Sequence, residues 1–229
     1  MPELLPVIYG SSPAVREMLR LAQAYAYSSY PILILGAPGT GKSALARHLH
    51  QLSGRPREKF VRCPIPGLPD GISQTELLGS GRGAFTGAVD RAGLVEGVTG
   101  GTLFLDELGL ASPGLQGVLL ALFDDPVVRR LGQERDRPVN VRYIAATNSD
   151  LEGMAAAGTF RPDLLGRFGH FKLRVPSLVE RRDEILPLVE RFLVEEYAGL
   201  GTPWLPVLGR GVAECLLAAP WGDNIRELR

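Results

Sequence analysis

The stretch "PILILGAPGTGKSALARHLHQL" (31–52) constrains this chain more than any other. "PILIL" (31–35) is short and wholly apolar, which suits a strand buried on both faces. "SALARHLHQL" (43–52) places Leu45, Leu49 and Leu52 on one helical face. Between them, "GAPGTGKS" (36–43) fits G-x-x-x-x-G-K-[ST] in the strand-to-helix setting that this phosphate-binding loop requires. Gly36, Gly39 and Gly41 let the backbone, with Thr40 inside it, wrap closely around a polyphosphate. The loop N–H groups and the helix N-terminus then face the anion. Lys42 supplies a point charge to the β- and γ-phosphates, and the Ser43 hydroxyl can bind Mg²⁺. The alternative is a glycine-rich turn that binds nothing.

Once that unit is set, the remaining periodicity falls into line. "KFVRC" (59–63), "TLFLDE" (102–107), "VRYIAATN" (141–148) and "FKLRV" (171–175) read as further strands. "PAVREMLRLAQAYA" (13–26) and "PGLQGVLLALFDD" (113–125) are helical, and 126–141 forms a hairpin with a charged tip. Strands alternating with helices predict an α/β domain, a parallel sheet of about five strands flanked by helices. After Pro176 the strands stop. "RRDEILPLVERFLVEEYAGLG" carries Ile185, Leu188, Val189, Phe192 and Leu193 on one face, followed by "GVAECLLAAP" and "NIRELR". Residues 1–176 are therefore expected to form the α/β unit and 177–229 a small helical lid. "NIRELR" ends with no stop signal after it, so the chain is expected to be part of a longer protein, cut inside a helix.

Composition adds mainly exclusions. Lys+Arg 25 balances Asp+Glu 25, so no bulk basic charge argues for nucleic acid. Cys63 and Cys215 form no CxxC and are expected to be two buried, reduced thiols of a cytosolic protein. His48 and His50 point in different directions on one helix, so they do not make a metal site. No apolar run reaches the length of a membrane span.

Five further places carry chemistry. "TLFLDE" delivers Asp106 to the carboxyl edge of the sheet, where it can hold Mg²⁺ through water while Glu107 polarises an attacking water. An ordinary solvated turn is the alternative. Asn148, closing "AATN", either bonds a γ-phosphate or the attacking water, or caps the helix begun by "SDLEGM". Arg161 and Arg167 in "FRPDLLGRF" are either a solvated surface or guanidiniums that enter a neighbouring subunit's site. Arg226 in "NIRELR" either swings onto bound phosphate or pairs with Glu227 or Asp223. The fifth place, "GAFTGA" (83–88), sets Phe85 and Thr86 between glycines that cannot bury an aromatic locally. Either Phe85 folds back into the core, or the loop is a partner surface.

These pieces, in this order, resemble the AAA+ ATPases. "TELLGSGRGAFTGA", "GGTLFLDEL", "VRYIAATNSDL", "FRPDLLGRF" and "PWGDNIRELR" resemble one branch of them, the bacterial enhancer-binding activators that work with the sigma-54 form of RNA polymerase. The resemblance runs from "VIYGSSPAVREML" to the end of the chain. It implies a P-loop AAA+ fold that binds ATP and Mg²⁺, usually as a homo-hexamer and sometimes a heptamer, in the bacterial cytoplasm. It implies that Lys42 and Ser43 hold phosphate and Mg²⁺, that Asp106 and Glu107 are the Walker B pair, and that Asn148 is the first sensor. Arg161 and Arg167 keep the spacing of arginine fingers, Arg226 falls at the second sensor, and "PVVRRLGQERDRP" matches the pre-sensor hairpin. The GAFTGA loop would rise when ATP is bound and touch sigma-54. Phe85 would be the apolar contact and Thr86 a second one, with Gly87 and its counterpart letting the tip move. DNA would be reached only through a domain outside these residues, and no membrane is involved.

Two positions depart from the family pattern. "GAPGTGKS" replaces the usual "GESGTGKE", with binding expected to survive. Arg62 stands where the family commonly has an asparagine that pairs with the Walker B glutamate, and it is expected to pair with Glu107 instead. That departure motivates a rival reading, a nucleotide-gated binding protein that hydrolyses poorly. An AAA+ motor with a different client is the third.

Overall fold

The computed structural model describes residues 10, 12–68, 70–200 and 208–229. In chain order, α1 (Pro13–Tyr25) leads to β1 (Ile32–Leu35), α2 (Lys42–Leu52) and β2 (Phe60–Pro64). Then come α3 (Asp70–Leu78), the two-residue strands β3 (Gly79–Ser80) and β4 (Arg91–Ala92), and the single turn α4 (Leu94–Gly97). β5 (Thr102–Asp106) and α5 (Pro113–Asp124) precede a hairpin of β6 (Val127–Arg129) and β7 (Asp136–Pro138). β8 (Arg142–Thr147), α6 (Leu151–Ala156), α7 (Pro162–Gly166) and β9 (Lys172–Arg174) complete the α/β part. A 3-10 segment (Leu178–Glu184) then opens α8 (Ile185–Leu200), α9 (Arg210–Ala218) and α10 (Ile225–Leu228).

The five strands pair as one parallel sheet in the order β2-β5-β8-β1-β9. Alternation sends successive side chains to opposite faces. Leu33, Leu103, Leu105 and Ala145 pack on one side against α5 and its neighbours. Ile32, Ile34, Phe104, Ile144 and Ala146 pack on the other against α1 and α2. Both faces of the central strands β1, β5 and β8 are covered, which is why these three read as largely apolar runs.

Helix starts follow local chemistry. Ser12 caps α1 by accepting from the Val15 N–H, and Ser112 caps α5 by accepting from Leu115, each at 3.3 Å. A proline occupies the first turn of both, where no N–H is needed. The segments after residue 176 pack around Leu178, Ile185 and Leu188, with Phe192, Leu216, Trp221 and Ile225 against them. The parallel order carries the ends of β1, β5 and β8 to one edge, where the polar residues gather.

Candidate nucleotide site and partner loop

The glycine-rich turn between β1 and α2 forms a cradle. Gly39 and Gly41 hold φ of +71° and +104°, a region that side chains rarely adopt. Thr40 is buried and braces the turn, its hydroxyl donating to the Ala37 carbonyl at 2.8 Å. The Lys42 ammonium folds across the loop and donates to the Gly36 and Ala37 carbonyls at 2.9 and 3.2 Å. Burial pushes the Lys42 pKa below its ordinary value, and the charges of Glu107 and Asp106 act against that shift. Ser43 is half-buried on the first turn of α2. No side chain caps that helix at Gly41, so its first N–H groups face the loop.

Asp106 closes β5 and is buried at the sheet edge, between Pro64 of β2 and Ala146 of β8. Glu107 turns out of the strand through a left-handed conformation, φ +61° and ψ +49°, costly for a residue with a Cβ. The Thr147 hydroxyl oxygen accepts from the N–H of Gly109 at 3.3 Å and of Ser149 at 3.0 Å. It thereby fixes the turn after Glu107 to the end of β8. Sequence reasoning missed Thr147; its signal was a polar residue ending an apolar strand next to the Asp-Glu turn.

Arg62 corrects an expectation. It does not pair with Glu107. Its Nε and Nη2 donate to Asp106 Oδ2 at 2.9 and 2.6 Å. Strand register explains this. Arg62 lies opposite Phe104, and Phe104 shares a face with Asp106 two residues on, whereas Glu107 leaves the strand.

Asn148 is exposed at the end of β8 and lines a cavity of about 470 Å³ with Gly36, Ala37 and Thr147. It does not cap the following helix. Asp150 does, accepting from the Gly153 N–H at 3.0 Å. A second cavity, of about 230 Å³, lies between α1, the phosphate loop and the C-terminal helices. Met18, Leu45, Leu188, Phe192 and Ile225 give it apolar walls, and Thr40 and Arg181 a polar edge.

The C-terminal helices grip the loop directly. The Ile225 N–H donates to the Gly39 carbonyl at 3.0 Å, and the Asn224 amide to the Pro38 carbonyl at 2.9 Å. The Asn224 side-chain oxygen accepts from the Leu178 N–H at 2.7 Å. Arg181 donates to the Thr40 carbonyl at 2.8 Å from the other side. Asn224 also escaped the sequence reading. Arg226 is exposed, 3.7 Å from Asp223, and close enough to act on Lys42.

Phe85 is 51% exposed and does not fold back into the core. Thr86 and Gly87 beside it are exposed as well. Gly83 and Gly87 hold φ of +84° and +83° with open space where a Cβ would stand. The base of this loop leans on the β6–β7 hairpin. Gly81 donates to the Leu131 carbonyl at 2.9 Å, and Arg130 pairs with both Asp90 and Glu96 at 2.7 Å.

The structure thus gathers Gly36, Gly39, Thr40, Gly41, Lys42, Ser43, Asp106, Glu107, Asn148 and Arg226 along one edge. Arg161 and Arg167 are engaged elsewhere in the chain. Arg161 pairs with Asp163 at 2.6 Å, and Arg167 pairs with Asp124. Neither touches the phosphate loop among the described residues. Of the thiols, Cys63 is buried, and burial pushes its pKa up to about 11, with Glu76 adding to the shift. Cys215 is exposed on α9, against the expectation that both would be buried. Among the described residues no helix is long and apolar enough to cross a membrane.

A family model described as "Sigma-54 interaction domain" matches residues 8–174. The chain is 39% identical over 222 residues to the transcriptional regulatory protein GlrR of Escherichia coli (strain K12), covering 96% of this chain and 50% of that protein. It is 42% identical over 223 residues to the alginate biosynthesis transcriptional regulatory protein AlgB of Pseudomonas aeruginosa, covering 95% and 49%. Among solved structures, NtrX from Brucella abortus in complex with ATP superposes with a TM-score of 0.85 at 31% identity, covering 97% of this chain and 50% of that one. Hsp104 of S. cerevisiae, at 20% identity and a TM-score of 0.70, shares the fold. The chain spans about half the length of the curated relatives it matches.

Proposed function

The chain belongs to the family of sigma-54 interaction domains, an AAA+ fold, and on that footing we propose that it is a ring-forming ATPase domain that remodels the sigma-54 RNA polymerase closed complex. One observation carries the reading: a phosphate loop and a half-exposed Phe85 on a glycine-flanked tip occur on one chain. Residues 1–176 act as the nucleotide-binding unit and 177–229 as the lid. The assembly is a homo-hexamer or heptamer.

The donor set suits a magnesium nucleotide. Ser43 and Asp106 offer hard oxygens, the uncapped N–H groups at the start of α2 can donate to phosphate, and a guanidinium already lies on Asp106 as a cation stand-in. When bound, ATP with Mg²⁺ supplies the anhydride bond whose cleavage by water yields ADP and phosphate. Gly36, Gly39, Thr40, Gly41 and Lys42 hold the phosphates, and the apolar walls of the smaller cavity receive the base. Glu107 orients the attacking water and takes its proton, with Asn148 reporting the γ-phosphate. Arg161 and Arg167 act in the neighbouring subunit's site, and Arg226 couples bound phosphate to the lid. Phe85, Thr86 and Gly87 meet sigma-54.

The test pairs steady-state ATPase with co-sedimentation of purified sigma-54 in the presence of a transition-state analogue of ATP. Glu107→Ala should lower turnover by at least about 10²-fold. Phe85→Ala should keep turnover within about twofold yet lose sigma-54 capture. Wild-type turnover no faster than that of Glu107→Ala would leave the nucleotide-gated binding protein as the better reading. Capture that survives Phe85→Ala would point to another client surface.

A further inference from the structure

We propose that Arg62 is a resident substitute for the divalent cation: it occupies Asp106 when no metal is bound and must be displaced for the site to load. This rests on the reading of Asp106 as the metal-holding carboxylate. The proposal comes from how the ion pair is made. Two N–H groups of one guanidinium converge on a single oxygen, Asp106 Oδ2, at 2.9 and 2.6 Å. An oxygen that already accepts two charge-assisted bonds has little left for a metal, and a guanidinium beside it repels a second cation.

The partners differ in freedom. The Asp106 side chain is 8% exposed and fixed in the sheet floor, whereas that of Arg62 is 54% exposed. Arg62 is therefore the group that moves, and it can leave toward solvent without breaking the core. Its exposure also keeps the pair weak enough to be broken.

The surroundings set the order of binding. Arg62 lies on Asp106, Lys42 feels the charges of Asp106 and Glu107, and Arg226 acts on Lys42, so positive side chains crowd this edge. A bare divalent cation meets that excess of positive charge unaided. A cation arriving with a polyphosphate brings the negative charge that offsets Lys42 and Arg226. The chain should thus bind metal poorly alone and well as a metal–nucleotide complex.

The experiment uses Mn²⁺ as an electron paramagnetic resonance probe on the full chain, alone and with the β,γ-imido analogue of ATP. With the analogue, Arg62→Gln should lower the Mn²⁺ midpoint about three- to tenfold relative to wild type. Without nucleotide, Arg62→Gln should show Mn²⁺ binding at concentrations where wild type shows none. Arg62→Lys, which keeps the charge and loses the two-pronged grip, should fall between them and carries the test if Arg62→Gln does not fold. Equal midpoints in wild type and the folded variants would overturn the proposal. Asp106→Asn separates the two ideas. If it lowers Mn²⁺ loading while the Arg62 variants match wild type, only the role of Arg62 fails. If it leaves loading unchanged, the reading of Asp106 fails and takes Arg62 with it.

Discussion

Glu180 shows how much one carboxylate can fix. It accepts from the Ser177 N–H at 2.7 Å and from its hydroxyl at 2.8 Å, and pairs with Arg174 at 2.7 Å. The Arg174 guanidinium first, and then the Ser177 donors, hold its pKa at about 2 against an ordinary 4.5. The folded form thus favours the ionised carboxylate. The resulting stability is present above pH 4.5 and lost as pH falls from there toward 2. Glu180→Gln should lower stability at pH 7 by no more than about 1 kcal/mol, since the pair is largely solvated. Urea midpoints of variant and wild type should converge as pH falls from 4.5 toward 2, and a gap that persists at the acid end would assign the effect to packing. Such residues differ in how legible they were. Lys42 and Ser43 announced themselves because their motif is local. Thr147 and Asn224 did not, and Arg62 was read with the wrong partner, because each bonds a group that only the fold brings near.

At the level of elements, the strands and their sheet were readable because burial on both faces leaves an unbroken apolar run. What periodicity could not give was the seating of α10 on the phosphate loop. That contact joins Gly39 to residues 223–225 across nearly the whole chain. It also explains why Gly39 in particular must be glycine. A Cβ there would stand 1.9 Å from the Asp223 carbonyl oxygen, whereas one on Gly41 would meet only Ile225 Cδ1, at 3.8 Å. Gly39→Ala should therefore unseat α10 and cost about 1–3 kcal/mol. Amide exchange in residues 221–229 should speed up in Gly39→Ala and much less in Gly41→Ala. Equal protection in the two variants would mean that the seating does not depend on this close approach. The GAFTGA tip was legible for a different reason: glycines around a phenylalanine leave it nowhere local to hide, and the hairpin holds its base in place.

For the whole molecule, the decisive question is whether the site is completed by a second copy. If Arg161 and Arg167 act in trans, two inactive variants should rescue each other. Lys42→Ala lacks a working phosphate loop, and Arg167→Ala lacks a finger for its neighbour. An equal mixture should regain turnover at about a quarter of its interfaces, those pairing an intact loop with an intact finger. Additive inactivity after mixing and exchange would place the arginines outside the chemistry. The same geometry bears on dilution. Arg161 and Arg167 are already satisfied at home, by Asp163 and Asp124. A lone subunit thus keeps both of these guanidiniums in its own ion pairs, and a dispersed population should idle even when saturated with fuel. Specific activity should then climb with protein concentration more steeply than in proportion, keeping the machine silent until enough copies accumulate.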